Sequence, residues 1–351
     1  MSEPDTQPQP VRAAAALAAS SAREREGRRR FLAGGAGLAL LAGLPLLGAC
    51  ASETPLTVAF LPWPGYAPLH LADRLGAWRR VGIAALRTGS ASESLAALRE
   101  GRAAAAALTL DELLRARAGG LRLRAVALLD LSRGADMLLA RPDFADPARW
   151  PGARLGREDG AVGALMATSW MRHVGLARDR VHLVAVAADG HEAAWKAGEV
   201  DLLVTYEPIA SRLLDAGAVR VFDSRQLPPD RPIADVLAVQ EHALDRASRH
   251  IEALVRSVFL AQRHLKWLPA DSAYRMAPWL GLSPAEVMRA FAGLRLTGWR
   301  DNRVWLGGNA ARLPDAARGL AAFLAENGLL AAPVPTEDLS TADFLPPEDP
   351  A

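Results

Sequence analysis

The chain has 351 residues, half of them apolar, which is ample for one large core or two smaller ones. Its formal charge is only +2, from 41 basic and 39 acidic residues. Residues 1–49 hold six of those arginines and four of those acids; the remainder, with 35 of each sign, is neutral and excludes a basic stripe for nucleic acid.

The amino terminus reads as an address. Arg28 and Arg29, continued by Arg30-Phe31-Leu32, look like a twin-arginine export signal, and the apolar run Ala33 to Leu47 is short for a membrane span. Leu47-Gly48-Ala49-Cys50 resembles a bacterial lipobox, in which the cysteine is acylated and becomes the mature amino terminus. A transmembrane helix ending by chance in a cysteine is the alternative, which Pro45 and several glycines weaken. Cys50 is the only cysteine, so no intramolecular disulfide forms, and a catalytic or metal-binding thiol would have to be the anchor itself. The expectation is a signal over 1–50, a tether over 51–56, and a lipid-anchored body on the outer side of the cytoplasmic membrane, periplasmic or cell-surface.

The body opens with the stretch Thr57 to Ala72. Thr57 to Leu61 is short, apolar and partly β-branched, which predicts a strand buried on both faces. Pro62, Pro64 and Pro68 then stiffen a loop, and Gly65 is expected to supply positive φ, so that Trp63 and Tyr66 are presented at the strand's carboxyl end. Leu69 to Trp78 predicts a helix and Val81 to Leu86 a strand. Ser90 with Glu93 and Thr109 with Glu112 have the spacing of capping boxes, opening helices that stop at Gly101 and at Gly119-Gly120. Between and after them, Ala103 to Leu108 and Leu121 to Leu129 read as strands. Strands alternating with helices of about ten residues argue for parallel sheets built from right-handed crossovers.

The polar stretch Asp130 to Asp136 interrupts this rhythm and reads as a first crossing between two lobes, with both aspartates as hinge or turn residues around Gly134. A second cycle follows: strands at Met137 to Ala140, Arg154 to Gly156, Val181 to Val186, Val200 to Thr205 and Val219 to Phe222, with helices over Gly160 to His173, a short one capped by Asp189 with Glu192 and ending at Gly198, and one after Tyr206-Glu207-Pro208. Val236 to Val239 returns the chain to the first lobe. From Leu244 the pattern is almost wholly helical, with breaks near Pro269, Pro284 and Pro314. The proline-rich, acidic residues 331–351 are expected to form an extended tail. The first lobe is thus 57–135 with 237–330, and the second is 136–236.

Four stretches, PWPGYAPL at 62–69, ALTLDE at 107–112, DLSRGAD at 130–136 and HEAAWKAGEVDLLVTYEP at 191–208, occur in order behind the export signal. Together they resemble the periplasmic substrate-binding proteins of ABC importers, in the group for nitrate, sulfonate, taurine and the thiamine pyrimidine precursor. The resemblance runs from about Leu56 to Leu330. It implies the α/β type II periplasmic binding protein fold, with two lobes, two interlobe crossings and a ligand clamped between. It also implies a permease and an ATPase as partners; a monomer without a cofactor is expected.

Ligand contacts are expected where strands end and helices begin, since such positions present side chains and free NH groups to the cleft. From the first lobe these are Trp63, Tyr66, Ser90, Thr109 and Asp111, and from the second Gly160, Ala161, Tyr206 and Glu207. Ser90 and Thr109 are equally explained as helix caps, and Glu207 as a carboxylate favoured by a helix start. Asp111, Glu112, Asp130, Asp136, Glu158, Asp159 and Glu207 outnumber Arg87, Arg133 and Arg157 near these positions, which would repel an anion. Aromatics with carboxylates suit a nitrogenous heterocycle, such as a pyrimidine or flavin-like ring, or an amine.

Two other readings stay open. Enzymes resembling chorismate dehydratase or a pyrimidine synthase share this architecture, and fold alone does not fix function. Against them, the seven histidines lack metal spacing, and no G-x-S-x-G, P-loop or G-x-G-x-x-G follows a strand. A lipoprotein that senses a ligand for a membrane receptor would use the same cleft.

Overall fold

The computed structural model describes residues 55–308 and 310–350. The export motif at Arg28 and Arg29 and the lipobox ending at Cys50 lie outside the described residues. In chain order the elements are β1 (Leu56–Phe60), α1 (Ala67–Arg74), β2 (Ile83–Arg87), α2 (Ala91–Arg99), β3 (Ala105–Thr109), α3 (Leu110–Ala118), β4 (Leu123–Ser132), β5 (Asp136–Ala140), β6 (Arg154–Arg157), α4 (Ala161–His173), β7 (His182–Ala185), α5 (His191–Lys196), β8 (Leu202–Tyr206), α6 (Ile209–Asp215), β9 (Val219–Asp223), β10 (Ala234–Gln240), α7 (Glu241–Arg246), α8 (Ser248–Trp267), α9 (Pro269–Leu280), α10 (Pro284–Ala290), β11 (Leu294–Leu296), α11 (Trp299–Leu306) and α12 (Arg312–Glu326). Among the described residues no helix is long and apolar enough to cross a membrane.

Two sheets carry the fold, ordered β11-β4-β10-β3-β1-β2 and β7-β6-β8-β5-β9. β1 pairs in parallel with β2 and β3, and β6 with β7 and β8. The ladders are mixed, however, because β10 comes back from the second sheet and enters antiparallel between β3 and β4, while β5 leaves the first sheet and runs antiparallel to β8 and β9. Strand period 2 sends alternate side chains into different cores, as buried sheets require. In β3, Ala106 and Leu108 enter one cluster and Ala105 and Ala107 another; in β5, Leu138 and Ala140 part from Met137 and Leu139 in the same way.

The two crossings meet at buried hydroxyls. Ser132 at the end of β4 and Ser224 after β9 have their Oγ atoms 2.7 Å apart, and Ser224 Oγ also accepts from the Gly134 backbone N–H at 2.7 Å. Ser132 Oγ accepts from Asp136 N at 3.1 Å, and Ser132 N donates to Ile233 O at 3.0 Å. The turn is therefore tighter than the sequence suggests. Asp130 lies inside β4 and Asp136 opens β5, and only Arg133 to Ala135 bend, with Gly134 at φ +113°.

Other boundaries shift for local reasons. The loop after β1 is a 3-10 turn over Pro64–Tyr66 that runs into α1, with Pro68 in the helix's first turn, where its missing donor costs nothing. Asp189 does not cap α5, whose N-cap is Gly190. A short strand, β11, interrupts the helical carboxyl-terminal half and extends the sheet beside β4. The last residues carry no helix and only one isolated bridge, yet they are stitched to β4: Ala125 N donates to Leu339 O at 2.8 Å, Thr341 N to Ala125 O at 3.0 Å, and Arg124 to Ser340 O at 3.0 Å, with Leu339 fully buried.

Candidate functional site

The carboxyl ends of β1, β3 and β4 lie at one edge of the first sheet, and the amino end of antiparallel β10 joins them. Register places Asp235 of β10 between Thr109 of β3 and Asp130 of β4. On the second sheet the same logic places Asp136, at the start of β5, opposite Tyr206, at the end of β8, with Glu158 just past β6. Such edges are where open α/β sheets hold ligands.

Trp63 spans the site. Its Nε1 donates to Asp235 Oδ2 at 2.8 Å, and its ring meets Tyr206 of the second lobe edge to face, centroids 5.3 Å apart at 89°. Tyr206 in turn has its centroid 6.0 Å from that of His191, whose Nδ1 lies 3.1 Å from Thr205 Oγ1. Gly65 admits this arrangement. Its φ is not positive, contrary to expectation; a Cβ there would overlap Asp130 Oδ2 and lie 2.6 Å from Trp63 Nε1, so glycine is required for space. Tyr66 is buried rather than presented on a platform. Burial first, then the charges of Asp235, Glu112 and Asp130, push its phenol well above the ordinary value.

The carboxyls dominate the electrostatics. Asp130 and Asp235 stand side by side on paired strands; burial raises both, and Asp235 is held well above the ordinary range, raised further by the charge of Asp130 and the bond to it. Asp130 Oδ2 and Asp235 Oδ1 are buried without a donor among the described residues. Asp130 itself is pushed up to about 7, by burial and then by the charge of Asp136. Burial also raises Asp136 to about 6, Glu112 to about 8 and Glu158 to about 6, each with a neighbouring acid contributing. Asp111 is raised by burial against a bond from Thr109 Oγ1 at 2.7 Å. Among the described residues none of these six forms an ion pair.

The expected site residues divide accordingly. Trp63, Tyr66, Thr109, Asp111 and Tyr206 are brought together around the acids. Thr109 does cap α3 with a complete box, Glu112 Oε2 accepting from Thr109 N at 2.9 Å. Ser90 is exposed and caps α2 by accepting from Glu93 N at 3.2 Å, so capping accounts for it. Gly160 and Ala161 start α4, two and three residues past Glu158. Glu207 turns back on its own helix, accepting from Ser211 N and Ser211 Oγ at 3.2 and 3.0 Å; its charged neighbours are Arg212 and Arg289, not the acids of the cluster. Of the supposed cleft arginines, Arg87 pairs with Asp73, Arg133 is exposed, and half-buried Arg157 donates to the Glu158 carbonyl at 2.8 Å and pairs at 3.8 Å with the exposed Asp159. Asp235 and His191 were not singled out as site residues. A carboxylate heading the apolar run ADVLAVQ was the available signal for the first.

The profile of the NMT1-like family matches residues 50–281, well over half of the chain. No curated protein sequence matches significantly. Among solved structures, the ligand-binding component of an ABC-type import system from Staphylococcus aureus, with zinc bound, is similar at 13% identity and TM-score 0.69, over 85% of this chain and 100% of that one. The periplasmic aliphatic sulphonate binding protein SsuA from Escherichia coli gives 16% and 0.69, over 81% and 91%. The desulfurization enzyme DszB, as a mutant in complex with biphenyl-2-sulfinic acid, gives 21% and 0.61, over 84% and 98%. At these identities the likeness shows the fold, that of type II periplasmic binding proteins.

Proposed function

The chain belongs to the NMT1-like family, and from that premise we propose that it is an extracytoplasmic solute-binding lipoprotein that captures a small nitrogenous molecule between its lobes and delivers it to an ABC permease and ATPase. The lobes are residues 57–135 with 237–330, and 136–236. The observation that carries this reading is the Trp63–Tyr206 contact, one aromatic from each lobe meeting over a set of carboxyls. A binding protein needs such a contact to favour its closed state, and needs no chemistry beyond differential affinity. Trp63, Tyr66, Thr109, Asp111 and Tyr206 form the walls. Cys50 carries the anchor, and Arg28 with Arg29 directs export.

The test is a thermal-shift screen of the full chain with pyrimidines, flavins, amines, sulfonates and nitrate. A ligand at 100 times its dissociation constant adds about 2.7 kcal/mol, and Trp63→Ala removes the shift. For the anchor, Cys50→Ala releases the protein from the membrane fraction.

An enzyme is the second reading, favoured by the likeness to DszB. The single cysteine is Cys50, so the described cleft holds no thiol nucleophile. Conversion of a stabilising compound by the purified chain would move the assignment to this reading.

A further inference from the structure

Resting on the solute-binding reading, we infer that the ligand is a small organic cation, a protonated amine or amidine, seated between the Asp130–Asp235 pair and Asp136 and covered by the Trp63 and Tyr206 rings.

Three independent features of the site lead there. The first is imbalance. Six carboxyls from both lobes, Asp111, Glu112, Asp130, Asp136, Glu158 and Asp235, act on one another and on the phenols of Tyr66 and Tyr206; arginine enters as the remote influence of Arg115 on Asp111 and at the rim as Arg157, which donates to the Glu158 carbonyl at 2.8 Å and pairs with Asp159. Buried charge persists only when paired or neutralised. Among the described residues none of the six is ion-paired, so each is either neutralised by a proton or met by a counter-charge from outside.

The second is an orphaned acceptor. Asp136 is 4% exposed, and its Oδ2 has no hydrogen-bond donor. It belongs to the second lobe, yet its charge is felt by Asp130 and Asp235 of the first and by Glu158 and Tyr206 of the second. A buried acceptor left without a donor costs free energy, and an N–H from a ligand removes that cost.

The third is the aromatic cover. Tyr206 and Trp63 meet edge to face above these acids, and aromatic faces and carboxylates together are the surroundings a cation prefers. An anion would meet six acids. A neutral ring would meet the aromatics but would leave the carboxyls uncompensated.

Asp235 and Asp130 are accordingly specificity-determining residues. Burial favours their protonated forms in the ligand-free protein, and a cation seated against them displaces a proton to solvent. Glu112, Glu158 and Asp111 belong to the same acidic neighbourhood and deepen its negative potential, while Thr109 donates to Asp111.

The experiment uses the full chain, stripped of ligand, in a thermal-shift assay against a bacterial small-molecule extract separated by ion exchange into cationic, neutral and anionic fractions. The cationic fraction raises Tm, and the other two do not. Asp235→Asn and Asp130→Asn lose this response at least tenfold in the amount of fraction required, while their own ligand-free Tm equals or exceeds that of the parent, because each removes buried repulsion. A shift confined to the neutral or anionic fraction overturns the cation and leaves the solute-binding reading intact. No shift with any fraction overturns both. Because the partition among fractions is read on the unmodified protein, the result stands even if a variant fails to fold.

Discussion

At residue scale, Gly65 shows how a single missing methyl holds the site together: it lets Asp130 and the Trp63 indole approach the backbone where a Cβ would collide with both. Gly65→Ala therefore displaces Trp63 from Asp235 and from Tyr206. Overpacking of this kind costs about 1–3 kcal/mol, so thermal unfolding of the ligand-free variant falls by a few degrees; an unchanged Tm would show that Asp130 can yield without loss. Ser224→Ala acts differently. It removes the acceptor of the Gly134 N–H and the partner of Ser132 Oγ in a buried place, and leaving such groups unmet costs about 1–3 kcal/mol, measurable as a lowered denaturant midpoint with the slope retained.

At the scale of elements, α3 is fixed by its complete capping box, and loss of such a cap costs about 1 kcal/mol. Thr109→Ala should show that loss in denaturant unfolding and should also free Asp111, whose carboxyl accepts from the same hydroxyl; a full unit of stability retained would mean that Glu112 alone suffices. The tail is a second such element. Leu339 is fully buried beside β4, and truncating it to alanine should cost about 2–5 kcal/mol; a surface tail would show none of this. These elements also mark what could be read from the sequence. The Thr109–Glu112 spacing encodes a cap because a cap is local, and the apolar run after Thr57 encodes a strand for the same reason. Asp235 faces Asp130 because two strands more than a hundred residues apart pair in one register, and no local pattern carries that. Glu207 misled for the opposite reason: its position beside Tyr206 is right for a cleft, but Ser211 lies one turn ahead and takes its carboxylate.

For the whole molecule, the buried acids set the response to pH. A carboxyl whose folded pKa is raised binds its proton more tightly in the native state than in the unfolded chain, where the value is about 4. The stability it contributes is complete below that value and is lost as pH rises through the folded pKa. With Asp136 and Glu158 at about 6, Asp130 at about 7 and Glu112 at about 8, the ligand-free protein loses stability progressively between about pH 5 and pH 8. Tm measured across that range should fall, and in Asp130→Asn the slope should be shallower. A Tm that climbs over the same interval would mean that these acids are already ionised and compensated in the folded chain.

The hydroxyl pair at the crossings has a mechanical meaning as well. Ser132 and Ser224 bind the two connecting strands at one point, and Ser132 N is tied to Ile233 of the returning strand. Two independent ropes would let the lobes slide, shear and rotate. Two strands riveted together form a torsion bar, so rotation of one lobe against the other must twist both as one, and the bar's end lies two residues from Asp130. In the solute-binding reading, opening is then described by a single angle, and two probes, one on each lobe, are enough to follow it.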